Sequence, residues 1–172
     1  MEKEITKEPT LSFGTAVKKV WSNMLNLSGR SRRSEFWYYI LFIVILEVII
    51  SIIPSAIIPV EGQMAIELIL WLSALSVGVR RIHDAGFNPI WLYINVASAV
   101  LLYAYYIGSG LSRELQAINI DPTLLYSYIS NPLFILLNTI MFITFLIVFV
   151  ITLLDSSLKE NKYGYSPKYV VK

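Results

Sequence analysis

Four apolar runs, each of about 20 residues, constrain this chain more than any other feature of it. They occupy residues 36–58, 64–79, 89–108 and 132–154, and the last reads PLFILLNTIMFITFLIVFVITLL. At 1.5 Å rise per residue, a helix needs roughly 20 residues to cross a hydrocarbon core of about 30 Å. The runs lack the alternation of a half-buried strand. Charged residues make up only 15% of the chain, whereas a soluble domain carries about 25%. The expected fold is therefore all-α and polytopic, with four transmembrane helices in a single membrane domain covering residues 1–172.

The second run is the shortest, and Arg80 and Arg81 at its end are expected to snorkel and extend its reach. Gly86 is placed to stop that helix, and Asn88-Pro89 reads as an N-cap followed by proline at the first helical position of the third span. Ahead of the first span, Phe13, Val17, Val20, Trp21, Met24 and Leu27 recur at steps of three and four. That spacing predicts an interfacial amphipathic helix over 13–27, with Trp21 at headgroup level. In the loop between the third and fourth spans, Asp121-Pro122 marks the start of a short surface helix. Residues 155–172 form the tail.

Four spans put both chain ends and the loop around residue 85 on one side. All of the 14 lysines and arginines except Arg113 fall there. By the positive-inside rule that side is the cytoplasm, giving N-in and C-in topology. A net charge of +2 gives no reason to expect a nucleic-acid partner. With no cysteine and one histidine, thiol chemistry is excluded and a zinc site is short of ligands. No metal, cofactor or set of catalytic residues is expected. No cleaved signal peptide is expected either, since the N-terminal region lacks a short apolar core with a small-residue cleavage site.

Three polar motifs interrupt this pattern on the basic side: SGRSRRSEFW (28–37), VRRIHDAGFNPIW (79–91) and NKYGYSP (161–167). In this order and at these places relative to the spans, they resemble a bacterial membrane-protein family defined only as a domain of unknown function, DUF 805. The resemblance runs from about residue 13 to 168 and rests on the set, since each motif alone is weak. It implies a bacterial inner-membrane location and brings no biochemical activity. In one place the chain departs from the family pattern. Phe87-Asn88-Pro89-Ile90-Trp91 stands where a small Ser-Gly pair is common.

At about 100° per residue, Arg80, Arg81, His83 and Asp84 share a sector of roughly 160° at the end of the second span. With Arg30, Arg32 and Arg33 they make candidate anion- or lipid-binding residues, the arginines donating in forked geometry and Asp84 orienting them. Glu35 is a further internal acid, and Ser31 or Ser34 is placed to cap the first span. Topology alone accounts for Arg80 and Arg81, but it requires neither His83 nor Asp84. The expected partners are anionic lipids of the cytoplasmic leaflet, another membrane protein or a second copy of the chain.

Two further readings come from other residues. Glu47 lies about 17 Å into the first span and Glu67 within the second, so a small oligomeric transporter or channel using them is an alternative. Glu47 has no basic residue at its depth, so it is expected to be protonated or to bond Asn95, Asn138, Ser or Thr of neighbouring spans. Asn95 and Asn138 also suit helix-to-helix bonding. Glu67 is expected to snorkel outward. The other alternative is a lipid-phosphate enzyme using His83 and Asp84, with no recognisable nucleophile to support it.

Overall fold

A computed structural model describes residues 5–54, 57–115, 121–157 and 160–171. Lys3, Lys159 and Lys172, counted above on the basic side, lie outside the described residues. Helix α1 spans Phe13–Ser22, α2 Arg33–Ser51, α3 Val60–Ser73, α4 Leu75–Asp84, α5 Ile90–Gly108, α6 Leu111–Glu114, α7 Pro122–Ile129 and α8 Pro132–Leu153. Four helical stretches are long and apolar enough to cross a membrane: α2, the pair α3–α4 taken together (Val60–Asp84), α5 and α8. Their outward faces carry large exposed side chains such as Val48, Ile69, Leu101 and Phe142. Lipid-facing helices are built this way, because the bilayer is as apolar as a protein interior.

The helix ends follow local chemistry. Asp121 Oδ1 accepts from Thr123 N at 2.9 Å to start α7. Asn131 Oδ1 accepts from Leu133 N at 2.9 Å to start α8, with Pro132 in the first turn. Gly86 sits at φ +88°, and Phe87 N donates to Ile82 O at 3.1 Å while Gly86 N donates to His83 O at 3.0 Å. This is a Schellman end, and it needs a glycine at that left-handed position.

Several boundaries differ from the sequence reading. α1 stops at Ser22 rather than continuing to 27, because the Ser22 and Asn23 side chains turn back onto the Lys18 and Lys19 carbonyls. α2 begins at Arg33 and ends at Ser51, so the first apolar run is helical for only part of its length. Its last residues turn around Pro54, whose carbonyl accepts from Ile57 and Ile58. The second run starts earlier, at Val60, and stays helical through His83-Asp84. It is interrupted at Ala74, whose N–H reaches back only to Trp71 O (3.1 Å) while the Ser73 hydroxyl bonds Leu70 O. Asn88 stands one place outside the cap position of α5, yet its Oδ1 still accepts from Ile90 N at 3.0 Å. Neither Ser31 nor Ser34 caps α2: Arg32 holds the cap position without a capping bond from its side chain, and Ser31 bonds Glu35 instead.

The most extensive helix pairing is α5 with α8. Asn95 Nδ2 fastens it by donating to Met141 O (2.8 Å) and Thr144 Oγ1 (2.9 Å). A second apolar cluster joins Val20 of α1 to Phe36, Tyr39 and Ile43 of α2 and to Ala74 and Val77. Both chain ends meet in a two-stranded antiparallel ribbon, β1 (Ile5–Lys7) with β2 (Tyr169–Val171), in register Thr6 to Val170. Segments of three residues are too short to give a strand signal. The ribbon holds the chain ends together at the end of the bundle that also carries α4's C-terminus.

Candidate functional site

Helix α4 is the centre of this end. Every residue from Ser76 to Asp84 is buried, and Arg81 and Asp84 are each 0% exposed. A buried carboxylate is strongly unfavourable unless paired and hydrogen-bonded, and Asp84 is both. Its Oδ1 accepts from Arg30 Nε at 2.9 Å, and its Oδ2 accepts from Arg81 Nη1 at 2.5 Å and from the Ser156 hydroxyl. One carboxylate therefore ties the Gly29 turn, α4 and the segment after α8.

The two arginines are pinned on their other sides as well. Arg30 Nη1 donates to Gly164 O (3.1 Å), and its Nη2 donates to Ser157 O (2.9 Å) and Asp84 O (3.3 Å). Arg81 Nε donates to Thr152 O (3.2 Å) and Nη2 to Leu154 O. These are carbonyls from the last turn and cap of α8, so Arg81 satisfies acceptors that helix geometry leaves unpaired. Arg80 and Arg81 do not snorkel outward as the sequence suggested. The carboxylate and the α8 carbonyls give Arg81 a complete inward set of partners.

His83 faces the tail. Its ring stacks on Tyr163 with centroids 3.7 Å apart and planes 10° from parallel. Its Nδ1 lies 3.2 Å from Gly29 O, and Asn161 Nδ2 donates to His83 O at 2.9 Å. The tail turn closes through mutual bonds between the Asn161 and Gly164 backbones, with Gly164 at φ +109°. Thus NKYGYSP docks onto the end of α4, and the three motifs form one assembly.

The remaining candidates fall on the two sides of α2's first turn. On one side, buried Glu35 accepts from Lys19 Nζ of α1 (2.6 Å) and from Ser31 Oγ (2.8 Å). Arg80 is 5% exposed. Its backbone carbonyl accepts from Ser31 N (3.0 Å) and its Nε donates to Ser76 O (3.3 Å). On the other side Arg32 donates to Pro167 O (2.5 Å) and Pro9 O (2.6 Å). Arg33, with a side chain 46% exposed, donates to Leu154 O (2.9 Å) and lies 3.9 Å from Asp155. An open groove of about 240 Å³ lies here, lined by Lys7, Glu8, Thr10, Arg32, Arg33, Ser34, Asp155, Ser156 and Lys168. Lys168 Nζ donates to Asp155 Oδ1 at 2.6 Å. That ammonium holds the Asp155 carboxyl below its usual range, and the carboxylate raises Lys168 in turn.

The intramembrane polar residues are not part of this assembly. Glu47 accepts from the Trp71 indole N–H rather than from Asn95 or Asn138. Tyr103 OH donates to Glu67 at 3.4 Å. Asn138 bonds Phe134 O of its own helix at 2.9 Å, so of the two asparagines only Asn95 fastens a neighbour. Among the described residues no group of three or more His, Asp or Glu could hold a metal. The sequence reading did not single out Lys19, Ser76, Ser156 or Ser157. Isolated serines and a surface lysine give no periodic signal, although Ser156 follows directly on the last span.

A family model described as "Protein of unknown function (DUF805)" matches residues 24–165, which takes in the first two motifs and the third as far as Tyr165. Over 92 residues the chain is 29% identical to the inner membrane protein YhaI of Escherichia coli strain K12, covering 52% of this chain and 71% of that one. The same protein from Escherichia coli O157:H7 matches equally. No solved structure matches.

Proposed function

Since the chain belongs to the DUF805 family, which carries no assigned activity, we propose a function from the assembly itself: non-catalytic binding of anionic lipid headgroups at a basic cytoplasmic rim of the inner membrane. The observation that carries it is the groove beside α2's first turn. It presents Lys7, Arg32, Arg33 and Lys168 against Glu8 and Asp155, at the level where the spans end. Headgroup phosphates sit at that level, and each basic residue near an anionic surface contributes about 1 kcal/mol. The excess of basic residues at this end supports a cytoplasmic position for it. α1 then lies in the interface, with Ala16 and Val20 against the bundle and Trp21, 53% exposed, towards the headgroups.

Within this function Arg30, Arg81, His83 and Asp84 build the rim, and Arg32, Arg33 and the lysines meet the lipid. The bonding of His83 and Asp84 supports a holding role over catalysis. Both Asp84 oxygens are engaged, and the imidazole is stacked under Tyr163. Glu47 and Glu67 each bond an aromatic donor of a neighbouring helix, which suits packing better than transport.

The test is lipid retention by the purified chain, compared between phosphatidylglycerol and phosphatidylcholine by native mass spectrometry. Wild type is expected to keep phosphatidylglycerol selectively. The Lys7→Ala/Arg33→Ala/Lys168→Ala variant is expected to keep distinctly less phosphatidylglycerol than wild type. Equal retention of both lipids by wild type, or phosphatidylglycerol retention unchanged in the variant, contradicts the reading.

A further inference from the structure

Charge on the α1 side of α2 is unbalanced. Among the described residues the buried guanidinium groups are Arg30, Arg80 and Arg81, and the buried carboxylates are Glu35 and Asp84. Asp84 is engaged by Arg30 and Arg81. Glu35 gives one oxygen to Lys19 and the other to Ser31. Arg80 is left with one bond, from Nε to Ser76 O, and its Nη2 has no partner among the described residues. The Ser76 hydroxyl, one turn back on the same face, is likewise buried and without a partner among them. Two unpartnered donors buried one turn apart on the same helix face mark one spot that calls for an acceptor, since each unpaired group costs about 1–3 kcal/mol and more when charged.

The spot lies at the junction of α1, α2 and α4. Val77, between Ser76 and Arg80, packs with Val20 of α1 and Phe36 of α2, and Lys19 reaches in from a side chain that is 45% exposed. With Lys19 the local charges are two positive against the one negative Glu35. We propose that Arg80 and Ser76 form a second anion site, separate from the groove, which takes one phosphate-type oxygen entering past Lys19 beneath α1. The guanidinium Nη2 and the serine hydroxyl both donate to that oxygen, and its negative charge offsets the unmatched arginine. The phosphate comes from a lipid headgroup or from free inorganic phosphate.

The experiment measures binding of phosphatidylglycerol and, separately, of inorganic phosphate to the full chain in neutral detergent. Native mass spectrometry and the thermal unfolding midpoint are the readouts. The variants are Arg80→Gln, Ser76→Ala and, as a control at the other end of the bundle, Arg113→Ala. One anion is expected to bind wild type and the groove triple variant alike. Arg80→Gln should weaken it about tenfold or more, the effect of losing a charged hydrogen bond, and Ser76→Ala by several-fold. Arg113→Ala should match wild type. Binding of inorganic phosphate assigns a free anion, and binding of phosphatidylglycerol alone assigns a lipid. Should Arg80→Gln fail to fold, Ser76→Ala decides, because it removes a hydroxyl that bonds nothing else described. Wild-type affinity in Ser76→Ala, or loss of all binding in the groove triple variant, overturns the second site and leaves the groove reading standing. Failure of wild type to bind either probe overturns both.

Discussion

Asp84 and Glu47 are both carboxylates on apolar helices, and their surroundings could hardly differ more. Asp84 has no solvent exposure and accepts from two arginines and a serine drawn from three separate segments. Glu47 is half-buried, and its one described donor is an indole N–H on the adjoining α3. An ionised, multiply bonded carboxylate fixes the positions of everything that touches it. A carboxyl held by one neutral donor fixes little. The charged end of the molecule is therefore the part cross-linked by its polar side chains, whereas the far halves of α2 and α3 are joined, among the described residues, chiefly by apolar packing and the Trp71–Glu47 bond.

The largest expected effect breaks the charged end. Asp84→Asn leaves Arg30 and Arg81 buried without a counter-charge, and removing one partner of a buried pair costs about 3–5 kcal/mol. A clear fall in unfolding midpoint checks this. If Asp84→Asn unfolds like wild type, the carboxylate does not hold this end together. Arg30→Lys is expected to come next, at about 1–3 kcal/mol. A lysine keeps the charge but cannot reach Asp84, Ser157 and Gly164 at once.

Tyr163→Ala removes the stack on His83 and is expected to cost roughly 0.5–1.5 kcal/mol beyond the lost burial. Limited proteolysis should then cut the tail earlier, while the bundle stays intact. Glu47→Gln sharpens the comparison from the other side, with an expected cost below about 1 kcal/mol because one neutral hydrogen bond is at stake. A large destabilisation there would show that the far half depends on its acid as the charged end does.

The smallest effect concerns pH at the groove. Asp155 is lowered, so its contribution is present above its ordinary pKa and lost as pH falls through the lowered value. Lys168 is raised, so its contribution is present below its ordinary pKa and lost as pH rises through the raised value. Between these limits the pair is constant, and the Asp155 side chain is 54% exposed beside a Lys168 that is 20% exposed, so solvent screening keeps the stability effect slight. Stability should therefore show no step from this pair between about pH 5 and 9, checked by midpoints across that range. Asp155→Asn should make the groove more positive and strengthen phosphatidylglycerol binding.

Much of this was readable from the residues, for identifiable reasons. Spans are long, one-dimensional signals, and caps such as Gly86, Asp121 and Asn131 act within a few positions of themselves. The meeting of SGRSRRSEFW, VRRIHDAGFNPIW and NKYGYSP was legible as a set of motifs on one side. Which arginine would take which acceptor was not. Arg30 and Arg81 share Asp84 while Arg80, adjacent in sequence, points to Glu35's side of the bundle, because neighbours on a helix are separated by about 100°. The β1–β2 ribbon and the Lys19–Glu35 bond join residues far apart in sequence, and local pattern carries no trace of such pairings.

The account divides the charge at this end between side chains that fasten the bundle and side chains that meet lipid. The direct measurement is the unfolding midpoint with and without phosphatidylglycerol, for wild type, Asp84→Asn and the Lys7→Ala/Arg33→Ala/Lys168→Ala variant. Lipid that binds the folded state raises the midpoint. The prediction is a low midpoint with a retained lipid shift for Asp84→Asn, and a near-wild-type midpoint with a much reduced shift for the triple variant. A wild-type midpoint in Asp84→Asn, or a full lipid shift in the triple variant, contradicts it.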